Sequence, residues 1–513
     1  MKKLLRFIFS GYFLSGLMIL AEVGALFILV VRLSYFSAIF FIIVTLVDAL
    51  SLLAVINMEG SPERRLTWMA VILLLPILGT LLFLLFRTRG MSKRDVQRSE
   101  RIMEEMDRWR YPQGNLSLLE SESREAYCRA RAILESSPTS GLYRNTESQF
   151  FSSGEQMYSS MLADLARAEK YILLEYFILE DGVMWRGIEE ILKKKASEGC
   201  TVRLLVDDIG CMGKLDSSLL RDLEKSGIAT LRFNRFTPRF SAKHNNRDHR
   251  KLLIVDGVIG YTGGINIADE YINEMERFGH WRDGGIRLYG EGVSELVRLY
   301  LSMWDMTSGA LSEYSFFLDN LPKTVPVSNN CGYVLPFGCG PEPLYKGECG
   351  KRALLDIIER ALTYVYITTP YLIIDNDLSV ALEGAALRGV DVRIITPGVP
   401  DKRLVKLMGR SFYLSLIRSG VKIYEYTPGF IHEKTIVSDD SYAIIGTINL
   451  DYRSLVHHYE DAVLLFGSET VMSIKESFID LFDSSLLIDE KRASLGVFER
   501  LFTSIARLFA PLL

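Results

Sequence analysis

The chain has 513 residues, of which 49% are hydrophobic, and its formal net charge is −4 at pH 7. This length accommodates two or three domains, and the acidic balance argues against a protein that binds nucleic acid through a generally basic surface. The six cysteines are scattered without a CxxC pair, which argues against a disulfide framework or a zinc knuckle and favours reduced thiols.

The excess of apolar residues lies in the first ninety positions. Three apolar runs, at 8–31, 35–57 and 67–86, are each about long enough to cross a bilayer, because a span needs roughly twenty apolar residues. The first run is too long for the core of a signal peptide, and no small-x-small cleavage site follows it. Residues 1–90 are therefore predicted to form a membrane-spanning region.

Basic residues flank this region on both sides. One cluster precedes the first run and another follows the third, and positive clusters favour the cytoplasmic side of a membrane. Three spans cannot place both clusters in the cytoplasm, so the number of spans, two or three, and the orientation of the N-terminus stay open. The cluster beside the large remainder of the chain is the better guide, and it places that remainder in the cytoplasm.

Two helical segments border the central part of the chain. Residues 91–135 are charged and rich in helix-forming residues, which predicts a helical linker. At the other end, apolar residues recur at helical spacing within 491–513, which predicts a C-terminal amphipathic helix. This helix either packs on the protein or lies on a bilayer, and packing is the commoner arrangement.

The chain between these segments contains a duplicated unit. AEKYILLEYFILEDG at 168–182 pairs with ALTYVYITTPYLIIDN at 361–376, and EGCTVRLLVDD at 198–208 pairs with RGVDVRIITPG at 388–398. Each unit has the pattern strand, helix, strand, helix, strand and then a hairpin, and runs such as VRLLV indicate strands that are buried on both faces. The sequence predicts two tandem α/β sandwich domains, at 136–325 and 326–490.

The hairpins of the two units share polar residues at identical offsets. HRKLLIVDGVIGYTGGIN at 249–266 matches HEKTIVSDDSYAIIGTIN at 432–449. A repeat that only builds a core should retain apolar residues, so the retained His, Lys and Asn indicate chemistry. The candidate site residues are His249, Lys251, Asp256 and Asn266 in the first copy and His432, Lys434, Asp439 and Asn449 in the second.

The spacing within each hairpin predicts which of these side chains meet. Residues i and i+2 of a strand share a face, so each histidine should lie beside the lysine that follows it. The strands then end in turn sequences, VDG and SDDS, and the return strands bring the asparagines back. Asp256 and Asp439 are included among the catalytic candidates, although strand geometry favours a structural role in the turn.

Two such copies facing each other would form one site for a phosphodiester. Lysines and amides donate to phosphate oxygens, while one imidazole can attack phosphorus and the other can protonate the leaving alcohol. Asp283, after the first copy, and Glu460, after the second, are candidates to orient the imidazoles. The adjacent His457 and His458 are interpreted as wall or structural residues. The predicted reaction is phosphodiester exchange through a phosphohistidine, without a metal or cofactor.

Several stretches together resemble a known family. HRKLLIVDGVIGYTGGINIADEY, WRD, TTPYLI, FIHEKTIVSDD and GTINLDYRS, with the apolar hairpin that ends in TWMAVILLLPILGTLLFLLF, resemble the bacterial cardiolipin synthases of the phospholipase D superfamily over nearly the whole chain. The superfamily usually has Gly-Ser-x-Asn after the His-Lys motif. Here Gly264 and Thr447 occupy the serine positions, so the first copy lacks that hydroxyl.

The resemblance implies a phosphatidyltransferase. One phosphatidylglycerol would transfer its phosphatidyl group to His249, glycerol would leave, and a second phosphatidylglycerol would attack to form cardiolipin. It further implies that His432 acts as acid and base, that the lysines and asparagines hold the phosphate, and that Asp283 and Glu460 orient the imidazoles. The protein would be a multi-pass protein of the bacterial cell membrane with its catalytic domains in the cytoplasm and no nucleic-acid partner.

Other functions fit parts of the same pattern. A hydrolytic phospholipase D that releases phosphatidic acid differs only in its acceptor, which is water. Phosphatidylserine synthesis and nucleic-acid cleavage belong to the same superfamily, and the acidic balance and apolar runs weigh against the latter. A membrane scaffold that binds anionic lipid without turnover is opposed by two intact His-Lys-Asn sets. The acceptor lipid and the oligomeric state are not determined by the sequence.

Overall fold

A computed structural model of the chain describes residues 38–58, 61–86, 93–110, 114–237, 242–319, 331–345 and 348–510, together with residues 24 and 28. The chain divides into two compact units. One comprises 93–234 and 246–503, and the other comprises 1–92, 235–245 and 504–513. Apart from residues 24 and 28, the apolar run predicted at 8–31 lies outside the described residues.

The N-terminal segment of the smaller unit is helical where it is described, with helices at Ala38–Ile56, Pro62–Leu74 and Leu78–Phe86. The side chain of Ser61 accepts a hydrogen bond from the Arg64 N–H and caps the second helix. A small apolar core joins these helices through side chains such as Val55, Trp68 and Phe83. Among the helices that the structure describes, none is both long and apolar enough to cross a membrane.

The apolar run predicted at 67–86 is not one continuous helix. The helix Pro62–Leu74 ends just before Pro76, which has no N–H to donate to the preceding turn. Ile77 has a φ of 68°, outside the helical region, and a second helix begins at Leu78. The hydropathy of the run predicts its apolar character but does not register this break.

The larger unit begins with helices where a helical linker was predicted. They span Lys93–Arg108, Gly114–Glu122 and Arg124–Ser136. In the third helix Ala126, Ala130 and Ile133 recur at helical spacing and are buried in the core that also includes the second sheet. This segment is therefore packed against the domain over part of its length.

The first sheet has the strand order β1-β9-β7-β6-β2-β3-β4. Parallel strands β2, β3 and β4 are joined by the helices Val183–Ser197 and Ser217–Lys225, and β6 and β7 form the antiparallel hairpin of the first motif. The strands are β1 Thr146–Phe151, β2 Tyr171–Tyr176, β3 Thr201–Asp207, β4 Ala229–Phe233, β5 Arg247–Asp248, β6 Lys251–Val255, β7 Ile259–Gly263, β8 His280–Arg282 and β9 Gly285–Gly290.

The second sheet repeats this plan in the order β10-β19-β17-β16-β11-β13-β14-β20. The helices Asn376–Leu387 and Arg403–Arg418 join its parallel strands. The strands are β10 Tyr333–Cys339, β11 Tyr364–Thr368, β12 Leu372–Ile373, β13 Asp391–Pro397, β14 Lys422–Tyr426, β15 Gly429–Ile431, β16 Thr435–Ser438, β17 Tyr442–Gly446, β18 Leu450–Asp451, β19 His458–Phe466 and β20 Ser485–Leu487. The strand–helix order predicted for each copy is present.

Both sheets are covered by helices, so alternate residues of a strand enter different cores. In the first sheet Ile172 and Leu174 face the core of the helices Gly154–Leu165 and Val183–Ser197, whereas Leu173 faces the long buried helix Val293–Ser308. This second core also contains Ile395 and Val437 of the second sheet. The remaining helices of this unit are Tyr314–Leu318, Cys349–Glu359, Glu469–Asp483 and Glu490–Ala493.

Two short strands are exchanged between the halves. β5, just before the first motif, pairs in parallel with β19 of the second sheet. β15, just before the second motif, pairs in parallel with β8 of the first half. Each motif histidine therefore directly follows a short strand that is paired with the other half.

The C-terminal helix spans Val497–Phe509. Several of its large apolar side chains are exposed and Thr503 is buried, whereas Phe509 is partly buried against the apolar core of the N-terminal helices. The expected packing on the protein is therefore present at the end of the helix, where Phe509 lies, and not along the rest of its apolar face. The exposed apolar residues are Val497, Phe498, Leu501, Phe502 and Ile505. All six cysteines are free thiols.

Candidate functional site

The exchanged strand β5 determines where His249 lies. Its register with β19 pairs Arg247 with His458 and Asp248 with Tyr459, and the His249 N–H continues the ladder by donating to the Tyr459 carbonyl at 2.9 Å. The next residue of β19 is Glu460, whose Oε2 lies 2.8 Å from His249 Nδ1. The imidazole of the first copy is thus paired with the carboxylate of the second.

The other half repeats this geometry. The His432 N–H donates to the Arg282 carbonyl at 2.7 Å, and His432 Nδ1 lies 2.7 Å from Oδ2 of the following residue, Asp283. Both candidate orienting carboxylates are therefore in contact with a motif histidine. Each carboxylate pairs with the histidine of the opposite half, and the sequence did not predict this crossed pairing.

The two carboxylates are fixed by further hydrogen bonds. The Ser454 hydroxyl donates to Glu460 Oε1 at 2.6 Å, and the Gly284 N–H donates to Asp283 Oδ1 at 2.9 Å. Burial raises the pKa of Asp283 to about 6. Burial acts in the same direction on Glu460, but the neighbouring His249 outweighs it and holds the pKa of Glu460 well below its usual range.

Each imidazole consequently presents its second nitrogen for chemistry. With Nδ1 engaged by a carboxylate, Nε2 is the nitrogen that can attack or transfer a proton. Burial holds the pKa of both His249 and His432 well below the usual value, and neighbouring lysines add to the effect. Neutral imidazole is the form that can act as a nucleophile.

The motif lysines are buried beside the histidines, as the i, i+2 spacing predicts. Lys251 Nζ donates to the His249 carbonyl at 2.5 Å, and Lys434 Nζ donates to the His432 carbonyl. Burial lowers the pKa of Lys251 to about 8 and that of Lys434 to about 7. An anionic ligand between them would favour their charged forms, which suits the lysines to hold a phosphate.

The two motif asparagines differ in their contacts. Asn266 accepts from the Ile178 N–H at 3.0 Å and donates from Nδ2 to the Tyr271 hydroxyl at 2.7 Å. Asn449 donates its backbone N–H to Ser454 Oγ at 2.8 Å, and its buried Oδ1 has no hydrogen-bond partner among the described residues. The amide of Asn266 is thus engaged in the fold, whereas that of Asn449 has capacity left for a ligand.

Asp256 and Asp439 lie at the far ends of the motif strands, where both adopt a φ of 52°. The Asp256 carboxylate accepts from the N–H groups of Glu169, Lys170 and Tyr171 at 2.7 to 2.8 Å. Asp439 accepts in the same way from residues 362–364. The motif strands have five and four residues and span roughly 16 and 13 Å, so these contacts favour the turn role over the catalytic role for both aspartates.

Gly264 is required by the packing of an orienting carboxylate. A Cβ at this position would lie 2.0 Å from Asp283 Oδ1, so the serine that the superfamily usually has here would collide with it. In the second half Thr447 is accommodated, and its hydroxyl donates to the Asp461 carbonyl at 3.1 Å. The missing hydroxyl of the first copy is thus the consequence of where Asp283 lies.

Aromatic rings that the sequence did not single out surround the imidazoles. Phe177 lies 4.9 Å from His249 between ring centroids, and Tyr271 and Trp281 each lie 5.5 Å from His432. Trp281 precedes Asp283 by the same two residues by which His458 precedes Glu460. That shared offset is the signal by which Trp281 and His458 could have been found.

A three-residue group could also bind a metal ion. His249, His458 and Glu460 are buried, and their potential ligand atoms lie within 4.8 Å of one another. Two of the three already form the orienting pair, in which an imidazole N–H to carboxylate hydrogen bond satisfies both.

Comparisons with known proteins cover the parts of the chain that carry both motifs. The family model described as "Cardiolipin synthase, PLD-like domain" matches residues 161–276 and 354–482, which include both motifs. A second model, described as "Phospholipase D-nuclease N-terminal", matches residues 35–87. Among solved structures, phosphatidylserine synthase from Haemophilus influenzae has a TM-score of 0.57 and 15% identity, covering 76% of this chain and 99% of that chain, which shows the shared fold.

Full-length relatives give the family. A cardiolipin synthase from Alkalihalophilus pseudofirmus is 32% identical over 458 residues, covering 88% of this chain and 89% of the relative. An uncharacterized protein from Streptococcus mutans is 38% identical, covering 90% of this chain and 99% of that protein. With both phospholipase D-like units matched and the relatives covered almost end to end, the chain belongs to the cardiolipin synthase family of phospholipase D-like proteins.

Proposed function

We propose that this protein is a cardiolipin synthase, a phosphatidyltransferase that converts two molecules of phosphatidylglycerol into cardiolipin and glycerol. The observation that carries the proposal is the pair of crossed His–carboxylate contacts, each with a buried lysine beside it. This set supplies two oriented imidazoles and two cations for one phosphodiester. The cardiolipin synthases among the relatives support the choice of lipid.

In the first step Nε2 of one imidazole attacks the phosphorus of a phosphatidylglycerol. The bond from phosphorus to the headgroup glycerol breaks as the N–P bond forms. The departing oxygen takes the Nε2 proton of the other imidazole, which the anionic phosphodiester favours in its cationic form. Family resemblance assigns the attack to His249 and the proton to His432. Glu460 stabilises the positive charge that His249 acquires, because it remains ionised when buried.

In the second step a hydroxyl of a second phosphatidylglycerol headgroup takes the place of the departed glycerol. His432 accepts its proton, the oxygen attacks phosphorus, and the N–P bond breaks to release cardiolipin and neutral His249. Lys251 and Lys434 bind the non-bridging phosphate oxygens throughout, with Asn449 and Asn266 as further ligands or supports. The lysines supply the charge, so no step requires a metal or cofactor.

We further propose that the N-terminal region anchors the protein to the bacterial cell membrane, with the catalytic unit on the cytoplasmic side. Support comes from the helix Ala38–Ile56, on which Phe41, Ile42, Leu46 and Leu50 are more than half exposed. Such surface is favourable only against lipid or another apolar partner. Membrane attachment suits an enzyme whose donor, acceptor and product are all lipids.

The choice between transfer and hydrolysis depends on the acceptor. Water would convert the same phosphohistidine into phosphatidic acid, so a synthase must exclude water while the intermediate exists. Both motif histidines are at most 7% exposed, which limits the access of solvent to phosphorus. This burial favours the transferase over the hydrolase.

The test incubates purified full-length protein with phosphatidylglycerol vesicles and follows the products by mass spectrometry. We expect cardiolipin and free glycerol from the wild type and neither from His249→Ala or His432→Ala. Phosphatidic acid as the main product would replace the proposal with a hydrolytic phospholipase D. No product, even with mixed bacterial lipids, would favour a lipid-binding scaffold instead.

A further inference from the structure

His458 is a buried imidazole whose polar atoms the fold does not satisfy. Its side chain is 9% exposed, and neither Nδ1 nor Nε2 has a hydrogen-bond partner among the described residues. Buried polar atoms are rarely left in this state unless a ligand or ordered water completes them. The sequence suggested only a wall or structural residue here.

The position of the ring places these atoms at the reaction centre. His458 and Glu460 lie two residues apart on β19 and share one face of the strand. The ring centroid of His458 lies 5.3 Å from that of His249 and 6.5 Å from that of Phe177. His458 thus stands beside the imidazole that attacks or protonates the phosphodiester.

Support of Glu460 does not account for His458. Its Nδ1 lies 3.6 Å from Glu460 Oε1, too far for a hydrogen bond. That oxygen already accepts from the Ser454 hydroxyl, and the other oxygen is bonded to His249. The carboxylate is therefore oriented without His458, and Nε2 on the far side of the ring is left without any function in the fold.

The other half of the site has one donor at the equivalent position, Trp281 Nε1, which is also buried without a hydrogen-bond partner among the described residues. Trp281 holds the matching position two residues before Asp283 and lies beside His432. An indole has a single polar atom, whereas an imidazole has one on each side of the ring. The two halves of the site therefore differ here: the His249 side has one more nitrogen that can form a hydrogen bond than the His432 side.

We propose that His458 is a further catalytic residue, whose Nε2–H donates a hydrogen bond to a non-bridging oxygen of the phosphodiester. When phosphorus is attacked in line, its non-bridging oxygens spread sideways around the axis between the two reacting imidazoles. A donor beside His249 is placed for one of these oxygens, and charge accumulates there in the transition state. The proposal rests on the proposed phosphatidyl transfer but does not depend on which histidine attacks.

The test pairs the residue with the substrate atom that it should contact. Full-length protein in mixed micelles receives phosphatidylglycerol or either diastereomer of its phosphorothioate, in which sulfur replaces one non-bridging oxygen. The initial rate of glycerol release is measured, because it reports the first step whatever the acceptor is. The variants are His458→Phe, which keeps a ring but removes both nitrogens, and His458→Asn, which retains an N–H donor.

We expect His458→Phe to lower kcat/KM for phosphatidylglycerol by roughly 10²-fold. In the wild type, sulfur at the contacted position accepts the His458 hydrogen bond poorly and slows the reaction. His458→Phe has no such bond to weaken, so its ratio of the phosphatidylglycerol rate to the rate with that diastereomer should be smaller than the wild-type ratio. The other diastereomer should show the wild-type ratio. His458→Asn should lie between the two, and His457→Phe, at the neighbouring imidazole, should match the wild type.

Three results would overturn the inference. Wild-type ratios for both diastereomers in His458→Phe would mean that His458 does not contact phosphate oxygen. A stoichiometric metal ion in the purified wild type that His458→Phe lacks would make His458 a metal ligand with His249 and Glu460. Absence of glycerol release by the wild type would overturn the proposed function and this inference together. A thermal melt of each variant identifies losses due to unfolding, and the ratios are unaffected by the amount of folded protein.

Discussion

At the residue scale, the site is a set of charges and imidazoles held out of water. Lys251, Lys434, His249 and His432 are all buried, and burial lowers the pKa of every one of them. Without substrate the cationic forms are therefore disfavoured, whereas a bound phosphodiester restores them. Substrate charge and site protonation are thus coupled, and the pH dependence should reveal it.

Raising the pH should lower kcat/KM for phosphatidylglycerol at a lower pH than it lowers kcat. The pKa of Lys434 is about 7 and that of Lys251 about 8, so each loses its proton as the pH rises through its value. We expect kcat/KM to fall between pH 7 and 9, while kcat persists to higher pH because bound phosphate raises both pKa values. The measurement is a pair of pH profiles, and an unchanged kcat/KM up to pH 9 would contradict this assignment.

The close packing of Gly264 against Asp283 gives a second prediction. In Gly264→Ala the new methyl group would lie 2.0 Å from Asp283 Oδ1, so the carboxylate must move away from His432. A displacement of about 1 Å at a catalytic group can cost roughly 10²-fold in rate, and we expect a loss of that order in kcat. Gly384→Ala is the matched control, because its Cβ has only an ordinary contact at 3.7 Å.

At the scale of elements, each turn aspartate connects its motif hairpin to the neighbouring strand of the sheet. Asp256 binds three N–H groups around the start of β2, and Asp439 does the same around the start of β11. Their φ of 52° is tolerated by Asp and Asn but not by most residues. The His-Lys-Asp motif therefore combines two residues that we propose to act on the phosphodiester with one that holds the turn.

Substitution of these aspartates should affect stability rather than chemistry. Asp256→Ala removes a charged acceptor from three N–H groups, and we expect the free energy of unfolding to fall by about 2 kcal/mol. The kcat of the folded protein should stay near the wild-type value. Chemical denaturation and steady-state assays at low temperature check both parts. Asp256→Asn should lose less stability, and a large fall in kcat with unchanged stability would restore a catalytic role.

The elements show what the sequence could and could not predict. Alternating apolar strands and helices predicted both sheets, and the duplicated hairpin predicted that His249, Lys251, His432 and Lys434 form the site, because these features depend on local spacing. The helix break at Pro76 was not predicted, because hydropathy does not depend on a missing N–H. Which carboxylate pairs with which imidazole was also not predicted. That pairing depends on contact between β5 and β19, which lie far apart in the chain, and no local pattern encodes such a contact.

At the scale of the molecule, the two halves complete each other. β5 and β15 cross between the sheets, and through them Glu460 orients His249 and Asp283 orients His432. Neither half contains an imidazole together with its own orienting carboxylate. A lost carboxylate should therefore disable the histidine of the opposite half.

This crossed dependence can be measured with an activated donor. Phosphatidyl-p-nitrophenol needs no acid to release its leaving group, so only the attacking imidazole is required for the first step. With His249 attacking, Asp283→Asn should give a burst of nitrophenolate and a trapped phosphatidyl-enzyme, whereas Glu460→Gln should give neither. We expect the steady-state rate of each variant to fall by roughly 10²-fold or more. The opposite pattern would mean that His432 attacks or that each carboxylate serves its own half.

The exchange of β5 and β15 also has a consequence for the protein during its synthesis and folding. In a nascent chain with only its first half folded, His249 has no Glu460 to fix its tautomer. The second half alone is equally inert, because Asp283 belongs to the first. A chain that is truncated or stalled before β19 therefore has no carboxylate partner for His249. Lipid chemistry begins only when the last strand of the site, β19, has taken its place.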